Sequence, residues 1–286
     1  LYSMVNREIL NECPWCFSEN KKSWGRVVRN FKAVVCEGCG LIYIENRLNS
    51  DGLKEYYKNY LSIIHQDNKQ EIQDRWKMYI LENRHITNYI SQGKILDIGC
   101  SGGYFLDTFD KDSFQCVGVE FGEEAAKIAK NKYKVYYGNF DNIQIQEKFD
   151  LIIFRGVIEH IPYPKNYLDK AVSLLNDGGY IYITSTPDSD AFCCDLFKEN
   201  WNQHEPEAHL MHFNQFHFRD YFNGKKLEHV DVKHFYRSTP YCNIENDILK
   251  VAEAINLKNN GELIKHKSPA FYGNMMSIIY KKIAMQ

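Results

Sequence analysis

Lys94-Ile-Leu-Asp-Ile-Gly-Cys-Ser-Gly-Gly-Tyr-Phe-Leu-Asp107 reads as a strand, a glycine-rich turn and the opening of a helix. The apolar run Lys94–Ile98 suits a buried strand. Gly99, Gly102 and Gly103 let backbone approach a ligand closely, and a helix opening over Gly103–Phe109 would aim its N–H groups at an anion. Asp97 ends the strand with a carboxylate that suits an ammonium, directly or through water. Glu120 ends the next strand, where a carboxylate accepts two hydrogen bonds from a ribose diol. The alternative for Glu120 is that it caps the helix start at Phe121–Glu124. A nucleotide at this strand end is what the pattern predicts.

Downstream, strands are expected at Cys116–Glu120, Lys134–Tyr137, Asp150–Phe154, Tyr180–Thr184, within Lys225–Phe235 and at Met275–Lys281. Helices are expected at Glu123–Asn131 and near Tyr167–Leu175. This alternation predicts an α/β, Rossmann-like, mostly parallel sheet with its ligands at the strands' C-terminal edge. The domain would occupy residues 93–286, after a helical cover segment at 45–92 in which Trp76, Tyr79, Ile80, Ile86 and Ile90 share a face. Tyr56, Tyr57 and Tyr60 in that segment read as cover for the cleft or core. Residues 241–270, with Asn243–Leu257 at their centre, read as a helical insertion before the last strand.

Upstream, Cys13-Pro-Trp-Cys16 and Cys36-Glu-Gly-Cys39 are two CxxC pairs among short strands, and residues 11–44 read as a zinc ribbon. Four thiolates fill a tetrahedron and leave no open position, so the zinc is expected to be structural. A thioredoxin-type redox pair would need one CxxC opening a helix. So small a ribbon depends on the ion to fold.

Composition narrows the partners. A net charge of −2 with no basic stripe disfavours nucleic acid. Hydrophobic residues make up 44% of the chain, enough for a real core, and no run is long enough to span a membrane. An odd count of 9 cysteines with no signal-like opening predicts reduced thiols and a cytoplasmic location.

The block Leu96–Leu106 resembles motif I of class I S-adenosylmethionine (SAM)-dependent methyltransferases, with Ser101 where the family more often has glycine. Asp150–Ile161 resembles the fourth strand and its "xxxVLEHV" continuation, Asn176–Gly179 the turn before strand five, and Thr186–Asp188 the segment that follows it. The likeness, over roughly residues 75–235, implies SAM rather than NAD. It implies that Asp97, Gly99, Gly103 and backbone near Phe154 meet the methionine part, Glu120 the ribose, Phe121 the adenine face, and Asn139 and Phe140 the adenine pocket. An N-terminal four-cysteine ribbon also resembles bacterial methyltransferases of deoxysugar and surface-polysaccharide biosynthesis. The chain is short for the C-methylating members, so O-methylation of a sugar or glycan is the expectation.

A hydroxyl acceptor benefits from a base with a pKa near neutrality, and histidine suits that role. His160, just past the fourth strand, and His209, in an acceptor lid about residues 188–220, are the candidates, with loop packing and solvated surface as their respective alternatives. His204, His209 and His212 as a metal set fit no recognised zinc signature. Trp201 and Phe213 read either as an aromatic wall for a sugar or as core. A rival reading makes the ribbon, with Lys21, Lys22, Arg26, Arg29 and Lys32, a module for a protein or RNA partner. Oligomeric state is not legible.

Overall fold

The computed structural model of the protein describes residues 6–58 and 69–284; Tyr60 lies outside them. In chain order the elements are β1 (Lys21–Ser23), β2 (Ala33–Cys36), β3 (Ile42–Ile44), α1 (Ser50–Lys58), α2 (Lys69–Thr87), β4 (Gly93–Ile98), β5 (Phe114–Glu120), α3 (Glu123–Lys130), β6 (Lys134–Tyr137), β7 (Phe149–Arg155), α4 (Pro164–Leu174), β8 (Leu175–Pro187), α5 (Phe192–Phe197), β9 (Met211–His212), α6 (Gln215–Asn223), β10 (Leu227–Lys233), α7 (Ile244–Asn259) and β11 (Met275–Lys282).

The large sheet has the order β10-β11-β8-β7-β4-β5-β6. β8, β7, β4, β5 and β6 run parallel, while β11 pairs antiparallel with both β8 and β10. The central strands are buried on both faces, which is why Leu151–Phe154 is an unbroken apolar run. Leu96, Ile98, Ile152 and Phe154 face one core; Ile95, Leu151 and Ile153 face the other, under α2 and the Phe105–Phe109 turn. Parallel pairing gathers the C-terminal ends of β4, β5, β7 and β8 at one edge, as expected.

Three expectations need correcting. After the glycine loop there is no α-helix over Gly103–Phe109, only a 3-10 turn at Leu106–Thr108. The Asp110 carboxylate accepts the Ser113 hydroxyl at 2.5 Å and the Asp112 N–H at 3.3 Å, a local turn that competes with continuing the helix. The anion-binding argument from a helix terminus therefore does not apply. Second, Trp201 and Phe213 are fully buried core, not a wall facing an acceptor. Third, the segment read as an acceptor lid is also woven into the ribbon, a pairing the sequence did not suggest. β9 pairs with β3 (Ile42 opposite His212, Tyr43 opposite Met211), so the ribbon sheet runs β1-β2-β3-β9. Trp15 of the ribbon packs edge-on against Phe213, and both lie in the same core as the central strands.

The ribbon's cations are also spoken for. Lys21 and Lys32 pair with Glu45, Lys22 with Glu37, Arg26 with Glu199, and Arg29 with Glu205 and Glu207. The run that looked like a basic patch is neutralised by acids of the same chain, three of them from the segment after β8. Among the described residues no helix is long and apolar enough to cross a membrane.

Candidate functional site

The loop after β4 is held by backbone bonds from Gly99 and Cys100 N–H to the Val119 carbonyl, at 2.8 and 3.0 Å. Ser101 adopts φ +50°, the left-handed backbone that favours glycine. That explains why glycine is usual here: Ser101 bears a conformation that L side chains resist. Its N–H is anchored by Glu120 Oε2 at 2.8 Å, and Glu120 Oε1 accepts the Gly122 N–H at 2.6 Å. Glu120 thus braces two turns, as its alternative reading foresaw in part. Each of its oxygens keeps a second lone pair.

Asp97 is 2% exposed, and its Oδ1 has no hydrogen-bond partner. Burial, reinforced by the charges of Glu120 and Glu82 and opposed by Arg155, pushes its carboxyl up to about 8. An unsatisfied buried carboxylate is costly, and this orphan atom at the strand end is what a cationic ligand group would satisfy.

Beside it lies a pair that the sequence reading missed. Arg155 Nε, at the end of β7, bonds Glu82 Oε2 of α2 at 2.5 Å. Its guanidinium lies over the Tyr79 ring at 4.4 Å and near Phe105 at 5.7 Å. The pair ties the cover helix to the sheet edge. Phe121 stands 43% exposed next to Glu120, open to a planar partner. Asn139 Oδ1 accepts the Asp141 N–H and the Tyr167 hydroxyl, both at 2.9 Å, leaving its amide N–H₂. Phe140 and Phe154 send their side chains into the core, at 1% and 0% exposure, so each offers a ligand only backbone.

Further along the edge, three side chains meet. Glu159 is buried, with Oε2 accepting the Thr186 hydroxyl at 3.3 Å and Oε1 lying 3.8 Å from His160 Nε2. His160 Nδ1 is 3.0 Å from the Tyr57 hydroxyl of α1. The His209 ring stands edge-on to His160 at 4.8 Å, its Nδ1 at 2.6 Å from the Gln203 carbonyl. The Leu210 N–H bonds the Glu159 carbonyl at 2.9 Å, which sets His209 against the end of β7. Burial keeps both imidazoles neutral: His160 is well below its ordinary range and His209 is lowered. Burial pushes Glu159 up to about 8. His204 and His212 instead form a buried pair, Nδ1 to Nε2 at 3.0 Å, beneath Trp24. They belong to the packing between ribbon and domain, neither solvated nor at the cleft.

At the ribbon, Sγ of Cys13 and Cys39 are 3.7 Å apart, and those of Cys16 and Cys36 3.4 Å. Zinc–sulfur bonds of about 2.3 Å in a tetrahedron place sulfurs about 3.8 Å apart, whereas a disulfide requires about 2.05 Å. Backbone N–H groups of Trp15 and Gly38 point at Cys13 and Cys36 sulfurs at 3.4 and 3.3 Å. Gly40 takes φ +80°, which its place behind the second pair requires. The four thiols fit a zinc ion.

The mostly parallel sheet, with a glycine loop after β4 and a carboxylate at the end of β5, fits a SAM-dependent methyltransferase. The methyltransferase-domain family model matches residues 73–231, more than half of the chain, and the chain belongs to that family. It is 24% identical over 116 residues to a ubiquinone biosynthesis O-methyltransferase of Aliivibrio fischeri, covering 37% of this chain and 48% of the relative. It is 29% identical over 140 residues to an uncharacterised protein of Methanocaldococcus jannaschii, covering 46% and 66%. The match thus spans about half the length of the Aliivibrio relative. Among solved structures, it shares a fold with magnesium protoporphyrin IX methyltransferase from Synechocystis with bound SAH (TM-score 0.56, 9% identity, 82% of this chain and 100% of that one). It also shares one with the 1,6-didemethyltoxoflavin-N1-methyltransferase of Burkholderia thailandensis (TM-score 0.55, 11% identity, 92% and 100%).

Proposed function

We propose that this methyltransferase moves the methyl group of SAM to a hydroxyl of a sugar or glycan intermediate in bacterial surface-polysaccharide or related biosynthesis. The observation that carries the first half is Asp97, a buried carboxylate with an unpartnered oxygen at the end of β4. The site fits SAM, which would supply an electrophilic methyl on a sulfonium. Asp97 meets the ammonium, and Gly99 and Gly103 let the loop close on the methionine end. Glu120 takes the ribose diol with its remaining lone pairs, and Phe121 covers the adenine. Asn139 offers its amide N–H₂ to the ring, with Phe140 and Phe154 contributing backbone.

The second half rests on the edge formed by Tyr57, Glu159, His160 and His209. A hydroxyl nucleophile must be held in line with the breaking bond and must lose its proton. His160 and His209, kept neutral by burial, are the groups at that edge that deal with the proton. Tyr57 fixes the His160 ring. The cysteines Cys13, Cys16, Cys36 and Cys39 hold a structural zinc that supports the segment bearing His209. Incubating the protein with SAM and a panel of sugar nucleotides and glycans, read by a mass increase of one methyl group, tests the reading. Methylation of a sugar hydroxyl is expected; methylation of a polyphenol and of no sugar would refute the sugar acceptor. A failure to bind SAM would remove the reading altogether.

A further inference from the structure

Glu159, His160 and His209 each contribute one ligand-type atom, and these atoms lie within 4.8 Å of one another. Among the described residues the only other such cluster is the four-cysteine set. We infer that Glu159, His160 and His209 form a second metal site, one that takes a divalent first-row transition ion at the acceptor edge.

Two imidazoles and one carboxylate are the donor set such ions prefer when a protein leaves coordination positions open. What distinguishes this trio from a chance cluster is how its outer atoms are held. Metal-bound histidines almost always give their second ring nitrogen to a carbonyl, carboxylate or similar group, and ligating carboxylates are themselves hydrogen-bonded. Here His209 Nδ1 meets the Gln203 carbonyl at 2.6 Å, His160 Nδ1 meets the Tyr57 hydroxyl at 3.0 Å, and Glu159 Oε2 accepts from Thr186 at 3.3 Å. On the other side Glu159 Oε1 and His160 Nε2 lie 3.8 Å apart. Bonds of about 2.1 Å in a tetrahedron set donors about 3.4 Å apart, so the trio closes by about an ångström on binding. His160 and His209 are half-buried, so an ion has a route in.

The inference rests on reading this edge as the acceptor site and deepens it. Once they hold the ion, His160 and His209 act on the acceptor's proton through it and not as bases: three protein ligands leave a position for the acceptor oxygen, and a hydroxyl bound there loses its proton to solvent more readily than a free one. The four-cysteine site has no such vacancy, so the two sites divide into a structural and an acceptor-binding one.

The test is equilibrium dialysis of the chelator-stripped full chain against Co2+, with metal content and the visible spectrum read together. The wild type should bind two equivalents, one with the intense thiolate band. His209→Ala and Glu159→Gln should keep the thiolate equivalent and weaken the other by about 100-fold. Thr186→Val, which removes the hydroxyl that bonds the outer carboxylate oxygen, should weaken it by about 10-fold. A folded wild type that binds a single equivalent, or variants that still bind two, would overturn the inference. SAM binding measured on the same samples separates the cases: if it persists while the second equivalent is missing, the ion falls and the methyltransferase reading stands.

Discussion

Replacing Asp97 by asparagine should strengthen the fold and weaken the site. The carboxyl ionises at 3.8 in an exposed setting and at about 8 in the folded chain, because burial and the charges of Glu120 and Glu82 outweigh Arg155. At pH 7 the folded chain therefore holds a proton that the unfolded chain has released. At about 1.4 kcal/mol for each pH unit between those values, that amounts to roughly 4 kcal/mol against folding. The neutral, isosteric amide removes this cost but leaves a buried donor to satisfy, at about 1–3 kcal/mol. A net gain of about 1–3 kcal/mol at pH 7 is expected. Since the folded chain is the one that keeps the proton, wild-type stability falls relative to Asp97→Asn as pH climbs from about 4 to about 8. Below about pH 4 the ionisation cost is gone and the order inverts, the buried amide donor leaving the variant less stable by about 1–3 kcal/mol. Urea unfolding of both proteins at pH 4, 6 and 8 reads this directly. Glu159, also raised to about 8, titrates in both proteins and cancels in the difference. The same substitution should cost SAM about 10- to 100-fold in affinity by calorimetry, the loss of one charge-assisted hydrogen bond. Identical pH–stability curves would show that Asp97 is not raised, and unchanged SAM affinity would show that it is no ligand.

Ser101→Gly relieves the left-handed backbone at φ +50° and should raise stability by about 0.5–1 kcal/mol in urea titration, without loss of SAM binding. Glu82→Gln leaves the Arg155 guanidinium without its counter-charge, and destabilisation by about 3 kcal/mol, seen as a lower unfolding midpoint, is expected. Tyr57→Phe and His160→Asn should retain SAM affinity while slowing methyl transfer, the second by about 100-fold or more in single-turnover assays; an unaltered rate would assign the proton elsewhere. Cys36→Ser should release zinc and, because β9 belongs to the ribbon sheet, increase hydrogen exchange at Leu210–Phe213 as well as at residues 13–44.

The parts legible in the sequence are those decided within a few residues. The apolar run of β4, the glycines after it, Glu120 at the end of β5 and the two CxxC pairs each carry local chemistry, and the sheet, the cofactor edge and the thiol cluster followed from them. The helix expected after Gly103 failed because a turn at Asp110, equally local, competes with it, and the apolar pattern of Phe105, Leu106 and Phe109 serves one turn as well as several. Everything decided by pairing at long range was out of reach. Nothing local marks Glu82 and Arg155 as buried, since only their mutual neutralisation makes burial tolerable. The ribbon's cations read as a patch because the acids that quench two of them, Arg26 and Arg29, come from beyond β8. Of His204, His209 and His212 the sequence reading favoured His209 as a base; backbone pairing of β9 with β3 buried the other two with Trp24 and set His209 against His160. Local propensity and turn chemistry are written along the chain, whereas desolvation and mutual satisfaction of polar groups exist only between parts of it. For that reason the glycine loop after β4 and the carboxylate ending β5 could be read along the chain, whereas the meeting of Glu159, His160 and His209 took shape only in three dimensions.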